Sequence, residues 1–147
     1  VIITQGRCGL FSFILVSCQS FNHYNQTNNF VINGSSDPAF LGDKTRYNPE
    51  DLFLSSLSAC HMLFYLHVCA EHQIIVTEYL DNATGIMEET KNGSGKFTKI
   101  TLNPIVKITD PNSIEKANEL HEKANELCFI ANSCNFKIEH KPKTIAE

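Results

Sequence analysis

The stretch from Asn48 to Ala70 constrains the fold more than any other part of this 147-residue chain. Asn48 has the side chain of a helix N-cap, Pro49 suits the first helical position, and Glu50 and Asp51 place negative charge where the helix dipole is positive. Beyond that start Phe53, Leu57, Met62, Leu63, Leu66 and Val68 put apolar side chains on nearly every face. The pattern predicts a central helix buried all round. Ser55, Ser56, Ser58 and Ala59 leave a narrow strip of small side chains, where another helix or a second subunit can approach closely, although packing alone also accounts for such a strip. A chain of this length has room for one core around such a helix.

The flanking segments supply strands and one further helix. Residues 1–23 read either as an opening β-strand through Leu10 to Val16 or as a signal-like segment, with Arg7 before the apolar run and Ser17-Cys18 after it. A single positive charge ahead of the run favours the strand. No apolar run reaches transmembrane length. Phe21 to Ile32 is polar and extended, with Phe30-Val31-Ile32 a strand before the Asn33-Gly34-Ser35-Ser36 turn. Asp37 to Tyr47 is a long aperiodic loop of the kind that often carries function. Ile74 to Tyr79 and Gly85 to Met87 are rich in β-formers, and the turn Lys91 to Gly95 marks a hairpin. Phe97 to Ile108 continues as strand, with Pro104 pointing to a bulge or a sheet edge. The spacing of Asn112 and Glu115 predicts a capping box opening a second helix. Ile114, Ala117, Leu120, Ala124, Leu127 and Cys128 form its apolar stripe, which turns Cys128 toward the core. Asn135 to Ile138 closes as a strand. The sum is a single α+β domain over residues 1–147.

Composition narrows the function classes. A formal net charge of -4 argues against a nucleic-acid or anionic-membrane surface and for a small-molecule substrate. The six cysteines (Cys8, Cys18, Cys60, Cys69, Cys128, Cys134) form no CxxC pair and lack zinc-finger spacing, and a core-rich chain of this size does not need disulfide staples. Thiol chemistry in a reducing compartment is the remaining expectation. The Asn-x-Ser/Thr triplets at Asn25, Asn82 and Asn92 matter only on a glycosylating secretory route. Taken alone, each cysteine reads first as a small buried hydrophobe. Cys8, Cys18, Cys69 and Cys134 keep that reading.

Two segments change the weight for the others. Arg46-Tyr-Asn-Pro-Glu-Asp-Leu-Phe-Leu-Ser-Ser-Leu-Ser-Ala-Cys60-His-Met, followed far downstream by Ala124-Asn-Glu-Leu-Cys128-Phe-Ile, resembles the OsmC/Ohr family of osmotically inducible and organic hydroperoxide resistance proteins. The resemblance runs from about Tyr24 to Phe136. It implies antiparallel sheets packed around two main helices in an intertwined homodimer, with active sites at the subunit interface. It also implies a cytoplasmic thiol peroxidase for organic or lipid hydroperoxides, with no metal and no bound organic cofactor, recycled by a thiol reductant such as a dihydrolipoyl protein. By that resemblance Cys60 is peroxidatic and Cys128 resolving, while a glutamate, here Glu50, orients an arginine.

A thiolate attacks peroxide, and burial on an apolar helix raises a thiol's pKa unless a cation offsets it. Arg7 and Arg46 are the arginines of the chain, and Arg46 leads into the cysteine-bearing helix. Relatives with the same Asn-Pro-Glu and Cys-His-Met arrangement carry an arginine in a Tyr-Asn-x-Thr segment, where this chain has Gln26, so Arg46 would have to replace it. Glu50 and Cys60 lie about 15 Å apart along one straight helix at 1.5 Å per residue. If both serve one centre, Glu50 comes from a partner subunit or acts through an intermediary. Cys60 and His61 diverge around the helix and do not form a nucleophile–base pair, so His61 reads as packing or pocket lining. Two other readings remain: a non-catalytic protein of the same fold holding an apolar small molecule at the dimer interface, and a hydrolase-like cysteine nucleophile.

Overall fold

A computed structural model describes residues 2–4, 22–24 and 31–147 and divides the chain into two compact units, one of residues 1–7 and 54–147 and one of residues 8–53. The strand expected from Leu10 to Val16 lies outside the described residues, as do Cys8, Cys18 and Gln26. β1 (Ile2–Thr4) belongs to the larger unit, while β2 (Asn22–Tyr24) and β3 (Val31–Asn33) pair antiparallel in the smaller one.

In the smaller unit the loop after β3 is tied by its own side chains. The Ser35 amide donates to Tyr47 O at 2.9 Å, and the Asp43 amide donates to Ser35 Oγ at 2.8 Å. Asp37 caps the short turn Pro38–Phe40 and accepts a hydrogen bond from Asn48 Nδ2 at 3.2 Å. Gly42 is required here, because a Cβ would stand 1.5 Å from the Ser36 carbonyl oxygen. Asn48 caps as its sequence predicts, with Oδ1 accepting the Asp51 amide at 2.7 Å.

The helix so started, α1 (Pro49–Glu71), runs 23 residues, about 35 Å at 1.5 Å per residue, and carries the chain from one unit into the other. By length and composition it is long and apolar enough to cross a membrane, which corrects the expectation that no run reaches that length. In the larger unit Leu57, Met62, Tyr65, Val68 and Cys69 are buried. The expectation of burial all round is also corrected: Ser56, Leu63, His67 and Ala70 form an exposed stripe, with Leu63 49% exposed. Hydropathy alone does not say which face the fold covers. The helix ends where Gln73 turns left-handed (φ 59°), letting the Ile74 amide reach Cys69 O at 2.9 Å and the Gln73 amide reach Ala70 O at 3.0 Å.

The strands of the larger unit are β4 (Val76–Asp81), β5 (Thr84–Glu89), β6 (Gly95–Leu102), β7 (Pro104–Ile108), β8 (Lys137–His140) and β9 (Lys143–Ala146). They form one sheet ordered β1-β4-β7-β9 and another ordered β5-β6-β8. The expected hairpin is β5–β6. β4 pairs with β7, so the chain leaves one sheet after Asp81 and returns to it at Pro104. Pro104 opens β7, where a missing N–H disrupts least. Asp81 secures this double crossing by accepting from Ser58 Oγ at 2.6 Å and from the Asn103 amide at 2.7 Å.

α2 (Ile114–Leu127) follows a short turn at Pro111–Ser113. Asp110 caps that turn, accepting from the Asn112 amide at 3.0 Å and from Ser113 Oγ at 2.7 Å, while α2 starts after Ser113 with no side-chain cap, which corrects the expected Asn112–Glu115 box. Ala117, Leu120 and Ala124 join Met62, Tyr65, Val68 and Cys69 of α1, together with Tyr79, Val106 and Ile108, in the core. The closing strand begins later than predicted. Both terminal strands run parallel to their neighbours, β8 beside β6 and β9 beside β7.

Candidate active site

The two cysteines set apart by sequence meet within the larger unit. Cys60 sits mid-way along α1, partly buried, and Cys128 ends α2 fully buried. Their side chains lie close enough to act on each other electrostatically. Burial, first, and the neighbouring Cys60 side chain, second, push the Cys128 thiol up to about 12, so it keeps its proton near neutrality. Cys128 also caps the short α3 (Phe129–Asn132), its sulfur accepting the Ala131 amide at 3.4 Å. That contact favours a thiolate but does not overcome the burial.

Cys69 and Cys134 stay apart from this pair. Burial pushes Cys69 up to about 11, and Cys134, raised likewise by burial, donates to Ile130 O at 3.2 Å. Cys69 is buried as expected of a small hydrophobe, whereas Cys134 is only partly buried.

Arg46 and Glu50 belong to the smaller unit. The carboxylate in contact with Arg46 is Asp43, whose Oδ2 lies 2.9 Å from Nε. Arg46 Nη1 is buried without a hydrogen-bond partner among the described residues. Glu50 is in the first turn of α1.

Sequence reasoning missed the polar cluster beside the thiols' helices. His61, immediately after Cys60, is 1% exposed, and so is His121 of α2. His61 Nε2 lies 3.0 Å from His121 Nδ1. His140 of β8 stacks on His61 at 4.6 Å between ring centroids, and Tyr65 stacks on His121 at 3.9 Å. Burial pushes His61 down to about 2 and His121 down to about 3, and lowers His140, so all three rings are neutral at physiological pH. The signal for His121 was in the sequence: it falls between Ala117, Leu120 and Ala124 on the apolar stripe, where a core-facing histidine is unusual. Nothing local marks His140. Among the described residues no group of His, Cys, Asp and Glu is arranged to hold a metal ion.

The family described as OsmC-like protein matches residues 42–143 of the chain. Among solved structures, an OsmC-like protein of unknown function from Vibrio cholerae O1 biovar eltor is 32% identical, with a TM-score of 0.66 over 76% of this chain and 75% of its own. The organic hydroperoxide resistance protein OhrB of Bacillus subtilis is 25% identical, with a TM-score of 0.52 over 79% of this chain and 82% of its own. An organic hydroperoxide resistance protein from Elizabethkingia anophelis shares the fold, at 24% identity and a TM-score of 0.58, over 80% of this chain and 81% of its own. Among curated proteins none matches.

Proposed function

The chain belongs to the OsmC-like protein family, and from that premise we propose that it is a thiol peroxidase that reduces organic hydroperoxides. The observation that carries the reading is the meeting of Cys60 of α1 with Cys128 at the end of α2, two thiols far apart in sequence and adjacent in the larger unit. Cys60 is the more accessible sulfur and Cys128 the buried one, which suits attack by the first and resolution by the second.

In the proposed cycle the Cys60 thiolate attacks one peroxide oxygen and the O–O bond breaks. The departing alkoxide takes a proton to become an alcohol, and Cys60 is oxidised to a sulfenic acid. The Cys128 sulfur then attacks the Cys60 sulfur, forming a disulfide and releasing water. Two thiols of an external reductant, such as a dihydrolipoyl group, return the pair to its starting state by exchange. No metal or bound organic cofactor enters this cycle, and it suits a reducing, cytoplasmic compartment. Arg46 is the proposed cation for the thiolate and peroxide, with Glu50 orienting it.

Homodimerisation belongs to the same proposal. Ser56, Cys60, Leu63, His67 and Ala70 recur at helical spacing on the face of α1 that the larger unit leaves partly open, and a second copy laid there would exclude water from the thiols. Leu63, beside Cys60 on that face, gives it an apolar neighbour that suits an alkyl or lipid hydroperoxide.

The test is turnover of cumene hydroperoxide with dithiothreitol or dihydrolipoamide, together with mass spectrometry after one equivalent of peroxide. Loss of turnover in Cys60→Ser and a Cys60–Cys128 disulfide in the native chain are expected. Undiminished turnover in Cys60→Ser, or a disulfide between other cysteines, would overturn the mechanism.

A further inference from the structure

We propose that the hydrogen bond between His61 and His121 is a register pin: it fixes α1 against α2 so that the Cys60 and Cys128 sulfurs meet. The inference rests on the peroxidase reading for its biological consequence, and on geometry for its substance.

His61 and His121 join the two helices that carry the thiols, Nε2 to Nδ1 at 3.0 Å, with both side chains 1% exposed. His61 directly follows Cys60, so rotating α1 about its axis to satisfy His61 sets where the Cys60 sulfur points. Cys128 caps the C-terminus of α2 seven residues after His121, so sliding α2 moves them together. The aliphatic and small side chains that these helices bring to the shared core, such as Met62, Val68, Ala117 and Ala124, attract without direction and tolerate a shifted register. A buried hydrogen bond has direction and does not.

The pair is a poor choice if stability were its only role. Whichever ring donates, His61 Nδ1 and His121 Nε2 remain buried without a partner among the described residues, and two apolar side chains would fill the site without that penalty. Buried polar groups retained at such cost are best known for fixing register. The surroundings hold both rings in place: His140 from β8 stacks on His61, and Tyr65 stacks on His121.

The decisive measurement is the rate at which diamide closes the Cys60–Cys128 disulfide in the full chain at neutral pH, read by mass spectrometry. Diamide accepts both thiol hydrogens on its N=N bond, so the assay reports sulfur placement without any peroxide. His121→Phe keeps the stack on Tyr65 but removes the hydrogen bond, and closure is expected to slow about tenfold, the cost of one buried hydrogen bond. His121→Asn, which presents a polar group near the place of Nδ1, should recover most of the rate, a rescue that a merely space-filling role would not give. Closure as fast in His121→Phe as in the native chain overturns the pin. If that variant does not fold, nitrogen–nitrogen coupling across the hydrogen bond in the 15N-labelled native chain decides instead: its presence supports the pin and its absence overturns it. A chain that closes the disulfide in a His121-dependent manner yet ignores cumene hydroperoxide would sink the peroxidase reading and leave the pin standing.

Discussion

The Cys128 thiol adjoins Cys60 from a position with no solvent exposure. This relationship sets an order of reactivity. A thiol held up to about 12 is a poor nucleophile near neutrality, because thiolate is the attacking form. Iodoacetamide applied to the native reduced protein between about pH 7 and pH 9, below the raised Cys128 value, is therefore expected to leave Cys128 unmodified. Peptide mapping checks this, and alkylation of Cys128 as fast as in the urea-unfolded chain would contradict it.

The same burial sets an alkaline limit to stability. Cys128 and Cys69 have folded-state values raised to about 12 and about 11 from an ordinary 9.0, so the unfolded chain loses its thiol protons first. Their contribution is intact below about pH 9 and is lost as pH rises toward the folded values, at up to about 1.4 kcal/mol per pH unit for each thiol. Urea midpoints measured from pH 8 to pH 11 should fall, and Cys69→Ala should flatten part of that fall.

At the acid end the histidine cluster acts in the opposite sense. His61 and His121 are bases whose folded values are depressed to about 2 and about 3, so below the ordinary 6.5 the unfolded state binds protons that the folded state refuses. Stability should be full above about pH 6.5 and decline as pH falls toward 3, by up to about 1.4 kcal/mol per pH unit for each ring. Asp81 and Glu122 act on His140 in the other direction, so that ring contributes less. A urea midpoint independent of pH between 6.5 and 4 would show that these rings are not buried as a neutral cluster.

Much of this fold is written in short-range signals. Asn48 and Pro49 announce α1, Lys91 to Gly95 announces the β5–β6 hairpin, and the stripe ending at Cys128 states which side of α2 is buried. What the sequence hides depends on partners distant along the chain. Strand propensity says that residues 76–81 and 104–108 are extended, but not that they pair with each other across the intervening hairpin. β9 was missed because Lys143-Thr-Ile-Ala has no strand signal until Val106 and its neighbours lie alongside. The exposed stripe of α1 is hidden because an apolar residue does not state who covers it. His140 joins the cluster only because β8 runs beside β6. Of the four candidate site residues, the cysteines were found to adjoin each other, whereas the contact of Arg46 with Asp43 arises from a loop conformation that no periodicity encodes.

The end of α1 offers a test by improvement. Gln73 holds a left-handed backbone, φ 59°, to direct the Ile74 amide onto Cys69 O. A side chain at such a position costs about 1 kcal/mol relative to glycine, which has no Cβ to crowd the carbonyl. Gln73→Gly should therefore stabilise the chain by up to that amount, less the entropy glycine adds to the unfolded state. Gln73→Val should destabilise it, since a β-branched side chain fits this region worst. Equal midpoints for native, Gly and Val chains would mean that the turn is not formed.

The last prediction concerns the crossing between the two sheets. Asp81 is 6% exposed, and its carboxylate receives Ser58 Oγ at 2.6 Å on one oxygen and the Asn103 amide at 2.7 Å on the other. Ser58 lies two residues before Cys60 on α1, so this carboxylate ties the cysteine-bearing helix to the place where the chain passes from β4 to β5 and back from β6 to β7. Ser58→Ala removes one donor from a buried charge and should cost about 1–3 kcal/mol, while adding no steric demand. Asp81→Asn keeps the shape but loses the charge-assisted bonds and turns one acceptor into a donor facing another donor, so a larger loss is expected. If the two substitutions act through the same contact, the double variant loses less than the sum of the single losses. Additive losses in a urea-denaturation cycle would show that Ser58 and Asp81 stabilise the fold independently, and the tie between helix and crossing would have to be abandoned.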